Sequence, residues 1–168
     1  PNRAANAVLT NDITVNSNVL DESGNLAETS DTRLDWIPIG NSDRPYTGTF
    51  NGQGHTISGL FIDKSEDYVG LFGYIGSNGS VSDIGVVDSY FNGDEYVGGV
   101  CGQNAGTITD CYSSSTVKGR RCAGGVCGLN TKTITNSYNT GTVNASGYNV
   151  GGVCGLNNDS GTIKNSHN

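Results

Sequence analysis

Two histidines, five cysteines and sixteen acidic side chains are the groups in this sequence that could carry chemistry, and their spacing decides what each set can do. A zinc peptidase needs two histidines one helical turn apart with a glutamate beside the first, so that both imidazoles meet one metal. Only His55 and His167 are present, and neither has a glutamate at that offset. His55, in Gly54-His55-Thr56, enters a strand and reads as part of a turn, since no catalytic partner is identifiable. The strained Gly-any-Ser-any-Gly elbow that exposes a serine nucleophile is absent. No catalytic residue, cofactor site or metal site is therefore read from the chain.

Three of the cysteines, Cys101, Cys127 and Cys154, recur at spacings of 26 and 27 inside near-identical stretches. These are Val97-Gly98-Gly99-Val100-Cys101-Gly102, Ala123-Gly124-Gly125-Val126-Cys127-Gly128 and Val150-Gly151-Gly152-Val153-Cys154-Gly155. A diverged copy, Val69-Gly70-Leu71-Phe72-Gly73, precedes them. If the copies stack, Phe72, Cys101, Cys127 and Cys154 form one inward column. Its thiols act as small buried hydrophobes, because parallel Cβ vectors suit a disulfide poorly. Cys111 occupies the place held by Ser137 and Ser166, and Cys122 that of Asn149; these two could bridge or stay free. Abundant free thiol suits an anaerobic habitat.

The elements that position these groups are short strands. Each Gly-rich block is followed by a second one: Ser80-Val81-Ser82-Asp83, Thr107-Ile108-Thr109-Asp110, Thr133-Ile134-Thr135-Asn136 and Thr162-Ile163-Lys164-Asn165. Alternation predicts an inward column of Val81, Ile108, Ile134 and Ile163 between outward hydroxyls. A third block appears as Thr116-Val117 and Thr142-Val143, with Ser89-Tyr90 at the matching place in the diverged copy. Asp83, Asp110, Asn136 and Asn165 form a polar corner column, and Asn104, Asn130 and Asn157 a second one able to pass amide hydrogen bonds from coil to coil. Tyr112 and Tyr138 align as a stack. The threonine rows raise an ice-binding reading, but Lys164 and Ser80/Ser82 interrupt them, and threonine simply favours an exposed strand face.

A unit this long with strands this short cannot bury its own apolar face and needs neighbours. The predicted fold is all-β: a right-handed parallel β-helix of about 26–29 residues per coil with three short strands in each. It is read as a single solenoid over residues 1–168, with irregular opening coils and a polar loop (Asp21 to Asp35) in 1–68 and regular repeats in 69–168. The start at Pro1-Asn2-Arg3-Ala4 and the end part way through a repeat are read as a fragment of a larger protein.

Composition bounds the partners. The chain has 168 residues, 26 of them glycine, and is 34% hydrophobic, so the core is thin. With nine basic residues and a net charge of −7, it lacks the clustered cations that nucleic-acid binding requires. The one basic cluster, Lys118, Arg120 and Arg121, is read as a solvated turn. No apolar run approaches the ~18 residues of a membrane span, so this segment is not expected to insert into a bilayer.

Gly70-Leu71-Phe72-Gly73 resembles the core of the GLUG-repeat family of bacterial adhesins and large surface proteins, and the later copies carry Gly-Val-Cys-Gly. The lead-in is similar too: Trp36-Ile37-Pro38-Ile39-Gly40 and Gly48-Thr49-Phe50-Asn51-Gly52-Gln53-Gly54-His55-Thr56-Ile57. The resemblance implies an extracellular right-handed β-helix at the bacterial cell surface. The family's repeat also accompanies immunoglobulin-cleaving metallopeptidases, whose zinc motif this chain lacks.

The expected function is a non-catalytic adhesin repeat or spacer, binding or presenting a region that recognises a host glycan or surface protein. Tyr68, Tyr96 and Tyr148, just before the Val-Gly strand starts, are the candidate surface contacts. End-to-end self-association through unpaired edges is also expected. The rival reading is a carbohydrate-active β-helix, a polysaccharide lyase or hydrolase. That rival needs two or more carboxylates within reach of one another in an outer groove. Asp83 over Asp110 gives way to Asn136 and Asn165, while Asp31, Asp35, Asp43, Asp63, Glu66 and Asp67 are scattered.

Overall fold

In the computed structural model every pairing between the named strands is parallel, with partners roughly one repeat apart in sequence except in the opening coil, where Ala7 pairs with Phe50 and Ile13 with Ile57 across the long polar loop. Residues 2–28 and 32–168 are described; Pro1 and Asp31, both named above, lie outside them. The strands wind into a right-handed β-solenoid with four sheets around it.

The first sheet holds the hydroxyl-rich blocks. It runs through Ala7–Val8, Thr49–Asn51, Ser80–Ser82, Thr107–Thr109, Thr133–Thr135 and Thr162–Lys164. Ile108 stands in register between Val81 and Ile134, all three fully buried, with half-buried Ser or Thr on either side. Each such side chain removed from water contributes about 2 kcal/mol. The second sheet stacks Phe72–Ile75, Cys101–Asn104, Cys127–Asn130 and Cys154–Asn157. Phe72, Cys101, Cys127 and Cys154 fall in one column, as expected. Cys154 is only partly buried, contrary to expectation, because its strand is the edge of that sheet and no described coil covers its far side.

A regular coil holds four strands rather than the expected three, because the Val-Gly-Gly-Val-Cys-Gly block takes part in two of them. Glu95–Gly98, Arg121–Gly124 and Val150–Gly151 form a separate short sheet, and the chain then turns sharply into the second. The two sheets approach through glycine: a Cβ on Gly98 would lie 2.8 Å from the Cys127 Cα, and one on Gly128 2.5 Å from the Tyr96 carbonyl carbon. No larger residue fits there without moving backbone.

The fourth sheet is the longest, built on Gly85–Asn92 and Tyr112–Gly119. The register shifts between Ser114 and Thr116, so Thr116 pairs with Tyr90 and Val117 with Phe91. Ser89-Tyr90 is therefore one residue away from the place assigned by sequence. The bulge is sited beside Asp88, whose φ is 43°.

Corners are set by backbone that most residues avoid. Asp83, Asp110, Asn136 and Asn165 have φ of 52, 53, 51 and 50°, turning the chain from the first sheet into the long one. Asx side chains tolerate that left-handed geometry best, which is why the polar column reads Asp, Asp, Asn, Asn.

Candidate functional site

The predicted tyrosines lie where the chain enters the short sheet. Tyr68, Tyr96, Cys122 and Asn149 share a left-handed backbone, with φ of 62, 58, 49 and 64°. They form one column, and the Asn149 amide reaches the Cys122 sulfur at 3.5 Å. A tyrosine held at positive φ is a strained choice that the stack must maintain. The rings of Tyr68 and Tyr96 lie 5.3 Å apart, and Tyr68 also stacks on Tyr74 at 6.1 Å with planes 8° apart. Burial, the largest cause, pushes the Tyr96 hydroxyl pKa up.

Tyr148 does not belong to that column. Ala123 pairs with both Val97 and Val150, so Tyr148 stands two residues ahead, in line with Arg121 and Glu95. It is 59% exposed, its ring lies under the Arg121 guanidinium at 5.5 Å, and its hydroxyl accepts a 2.6 Å hydrogen bond from Arg121. The structure thus joins Tyr68 to Tyr96 and leaves Tyr148 with a different partner.

That partner is part of a network invisible to local sequence reading. Arg120 pairs with Asp94 and reaches Glu95 at 3.2 Å, and Arg121 also pairs with Glu95. The Arg120 hydrogen bond is the main cause holding the Asp94 carboxyl below its ordinary range, against partial desolvation. The arginines read as a solvated turn are tied to the preceding coil. The signal was a spacing: Asp94-Glu95 stands 26 residues before Arg120-Arg121.

A groove of about 530 Å³ opens beside the bulge, lined by Asp21, Glu22, Asp88 and the hydroxyls of Ser114, Thr116, Thr140 and Thr142 among others. Three carboxylates at one groove invite the enzyme reading. Asp88, however, accepts the backbone amides of Val19 and Leu20 at 3.2 and 2.8 Å, anchoring the overlying loop. Asp21 accepts the amides of Ser23 and Asn25 within its own turn. Acid–base cleavage of a glycosidic bond uses a pair of carboxylates, and here the bonds made by Asp88 and Asp21 give those two a structural use. His55 has a partner after all, Asp12 at 3.3 Å, and Asp12 is held low chiefly by the Thr56 amide. Among the described residues, no three or more His, Cys, Asp or Glu are grouped to hold a metal ion.

The regular coils match a known repeat. Residues 93–118 and 119–144 each match the GLUG motif. These two coils are GLUG repeats. The chain is 43% identical over 84 residues, 49% of its length, to Halomucin of Haloquadratum walsbyi. It is 38% identical over 77 residues, 44% of its length, to a protein of Evansella cellulosilytica named as a Gly-rich membrane protein. The matched part spans 1% of the first relative and 9% of the second. No solved structure matches the chain.

Within and beyond the GLUG coils, polar side chains are committed to stacking. Asn104 donates to Asn130 at 2.8 Å and Asn130 to Asn157 at 2.7 Å, with Asn104 and Asn130 fully buried. At the surface corner Asn165 donates to Asn136 and Asn136 to Asp110. A third ladder, Asn139 to Asn168 at 2.7 Å, has no counterpart in the sequence reading. Tyr112 and Tyr138 stack as predicted at 5.1 Å, and His167 extends the file at 5.3 Å, as the alignment of Ser137 with Ser166 foreshadows. All five cysteines are free, and burial pushes the Cys111 thiol up to about 12.

Proposed function

We propose that the chain is a non-catalytic module of a bacterial cell-surface protein, an adhesive repeat or spacer that carries or presents a site for a host glycan or surface protein. The observation that carries this reading is the consumption of ordered polar side chains by the ladders Asn104-Asn130-Asn157 and Asp110-Asn136-Asn165, which build length rather than a reaction centre. The GLUG match and the names of the relatives, a mucin-like and a membrane-protein name, support placement at the cell surface. The paired rings of Tyr68 and Tyr96 are the contact surface, because an aromatic pair at a solvent edge gives a sugar or peptide a flat apolar platform at little entropic cost.

The purified chain is tested on a glycan array and against host surface proteins, alongside a Tyr96→Ala variant, and for release of reducing or unsaturated ends from polysaccharides. Binding that weakens in Tyr96→Ala supports the adhesive form, and silence in every assay supports the spacer form. Turnover of any polysaccharide would sink the non-catalytic reading.

A further inference from the structure

A second cavity, of about 360 Å³, opens at the turns that lead out of the long sheet, and its lining is drawn from successive coils. Asn92, Lys118 and Asn144 are consecutive in one column, paired residue to residue. Gly93, Gly119 and Ala145 form the next, and Asp94, Arg120 and Ser146 line the far side. The middle column has almost no side chain to raise the floor. A Cβ on Gly93 would point inward, against Val69 and Val97 at 2.8 and 3.0 Å, so what faces the cavity there is backbone. The result is an axial trough walled by amide, basic, acidic and hydroxyl-bearing residues.

Its lining holds two cations and one carboxylate, Lys118 and Arg120 against Asp94. The chain carries −7, yet Lys118 and Arg120 both line this trough. Arg120 is neutralised by Asp94 and Glu95. Lys118 is not: among the described residues it has no ion pair. It is half-buried, with its ammonium 5.3 Å from the centre of the Tyr90 ring, and Tyr90 is itself stacked on Phe61. The aromatic face holds the ammonium in place without cancelling its charge for a ligand on the other side.

We propose that this trough binds one strand of a linear acidic polysaccharide lying along the solenoid axis, with a sugar carboxylate on Lys118. The coil rise of about 4.8 Å is comparable to the advance per sugar in an extended 1,4-linked chain, so successive sugars meet successive coils. Asn144 and Ser146 supply hydrogen bonds to ring hydroxyls, the Asn92 amide being engaged by Asp63 at 2.7 Å, and the sugar carboxylate forms a charge-assisted bond to the Lys118 ammonium. The site is separate from the tyrosine edge and stands or falls independently of it.

Calorimetric titration of the 168-residue chain with hexagalacturonate, cellohexaose and sodium sulfate tests this. Hexagalacturonate binds, with affinity falling as salt rises; cellohexaose does not bind, and equimolar sulfate does not compete. Lys118→Gln lowers the affinity about tenfold, the loss of one charge-assisted contact, Lys118→Arg restores most of it, and Tyr96→Ala leaves it unchanged. Asn144→Asp, at an exposed position on the same wall, weakens binding without touching the core, and so serves if Lys118→Gln folds poorly. No binding of hexagalacturonate, equal binding of cellohexaose, competition by sulfate alone, or undiminished affinity in Lys118→Gln at an unchanged thermal midpoint would each overturn the proposal. Loss of binding in Tyr96→Ala would move the ligand to the tyrosine edge and overturn it as well.

Discussion

Replacing Asn130 by aspartate should turn the stability of the solenoid into a function of pH. The Asn130 side chain is fully buried, accepts from Asn104 at 2.8 Å, and donates to Asn157 at 2.7 Å. A carboxylate keeps the first bond and cannot make the second; its oxygen would face the Asn157 carbonyl oxygen instead. Loss of one ladder bond costs about 1 kcal/mol, and the exposed Asn157 oxygen can turn to water. The larger cost is the buried charge, which has no cation beside it, so the new carboxyl ionises less readily folded than unfolded. Its folded pKa is raised. Below the ordinary carboxylate range both states are protonated and the variant loses about 1 kcal/mol or less, since a protonated oxygen can donate to Asn157. As pH rises from the ordinary carboxylate value to the raised folded one, the unfolded state sheds its proton first. Stability then falls by about 1.4 kcal/mol for each step of one in pH, and levels off above the folded value. Asn130→Ala, which leaves one N–H of the buried Asn104 amide unpaired while the nitrogen still donates to the Thr133 carbonyl at 3.0 Å, should cost about 2 kcal/mol with no such pH dependence. Urea unfolding followed by far-ultraviolet circular dichroism between about pH 3 and about pH 8 reads both. An Asn130→Asp variant that grows more stable as pH rises would refute the buried-ladder reasoning, as would an Asn130→Ala midpoint matching the wild type.

Two further outcomes follow from the same stack. Cys127→Glu, placing a carboxylate in a fully buried column, should destabilise the central coils by more than about 3 kcal/mol, whereas Thr135→Ala on the outer face should stay within about 0.5; similar thermal midpoints for the two would contradict the assigned facing. Gly125→Ala should also fail, because the new methyl would sit 2.1 Å from the Asn139 side chain and 2.3 Å from the Gly152 carbonyl oxygen; a wild-type midpoint would show that these coils can separate at no cost.

Much of the fold was legible because repetition is a strong constraint. Copies of Gly-Val-Cys-Gly 26 and 27 residues apart must lie over one another if the unit is to bury its apolar face, and that fixed the columns of Cys101, Ile108 and Asn104 with their partners. The left-handed corner at Asp110 and Asn136 follows from the same stacking plus the tolerance of Asx residues for positive φ. Where the copies diverge, residue type no longer marks the register. Ser89-Tyr90 was placed one residue out, because a bulge near Asp88 leaves no trace in residue type. Tyr148 was grouped with Tyr68 and Tyr96 although its backbone place belongs with Arg121, since "just before the strand" does not specify one residue or two.

Sequence alone, then, determined which residues are neighbours along the axis: a regular repeat makes every position the neighbour of its own copy. It said nothing of what lies across the coil. That Asp88 anchors a loop 68 residues earlier in the chain, that the short and second sheets close on each other through glycine, and that Lys118 stands over Tyr90 beside a trough are lateral contacts between unlike columns. Those distances are set by how the coil bends at its corners and how its unequal sheets pack, and only the folded chain decides them.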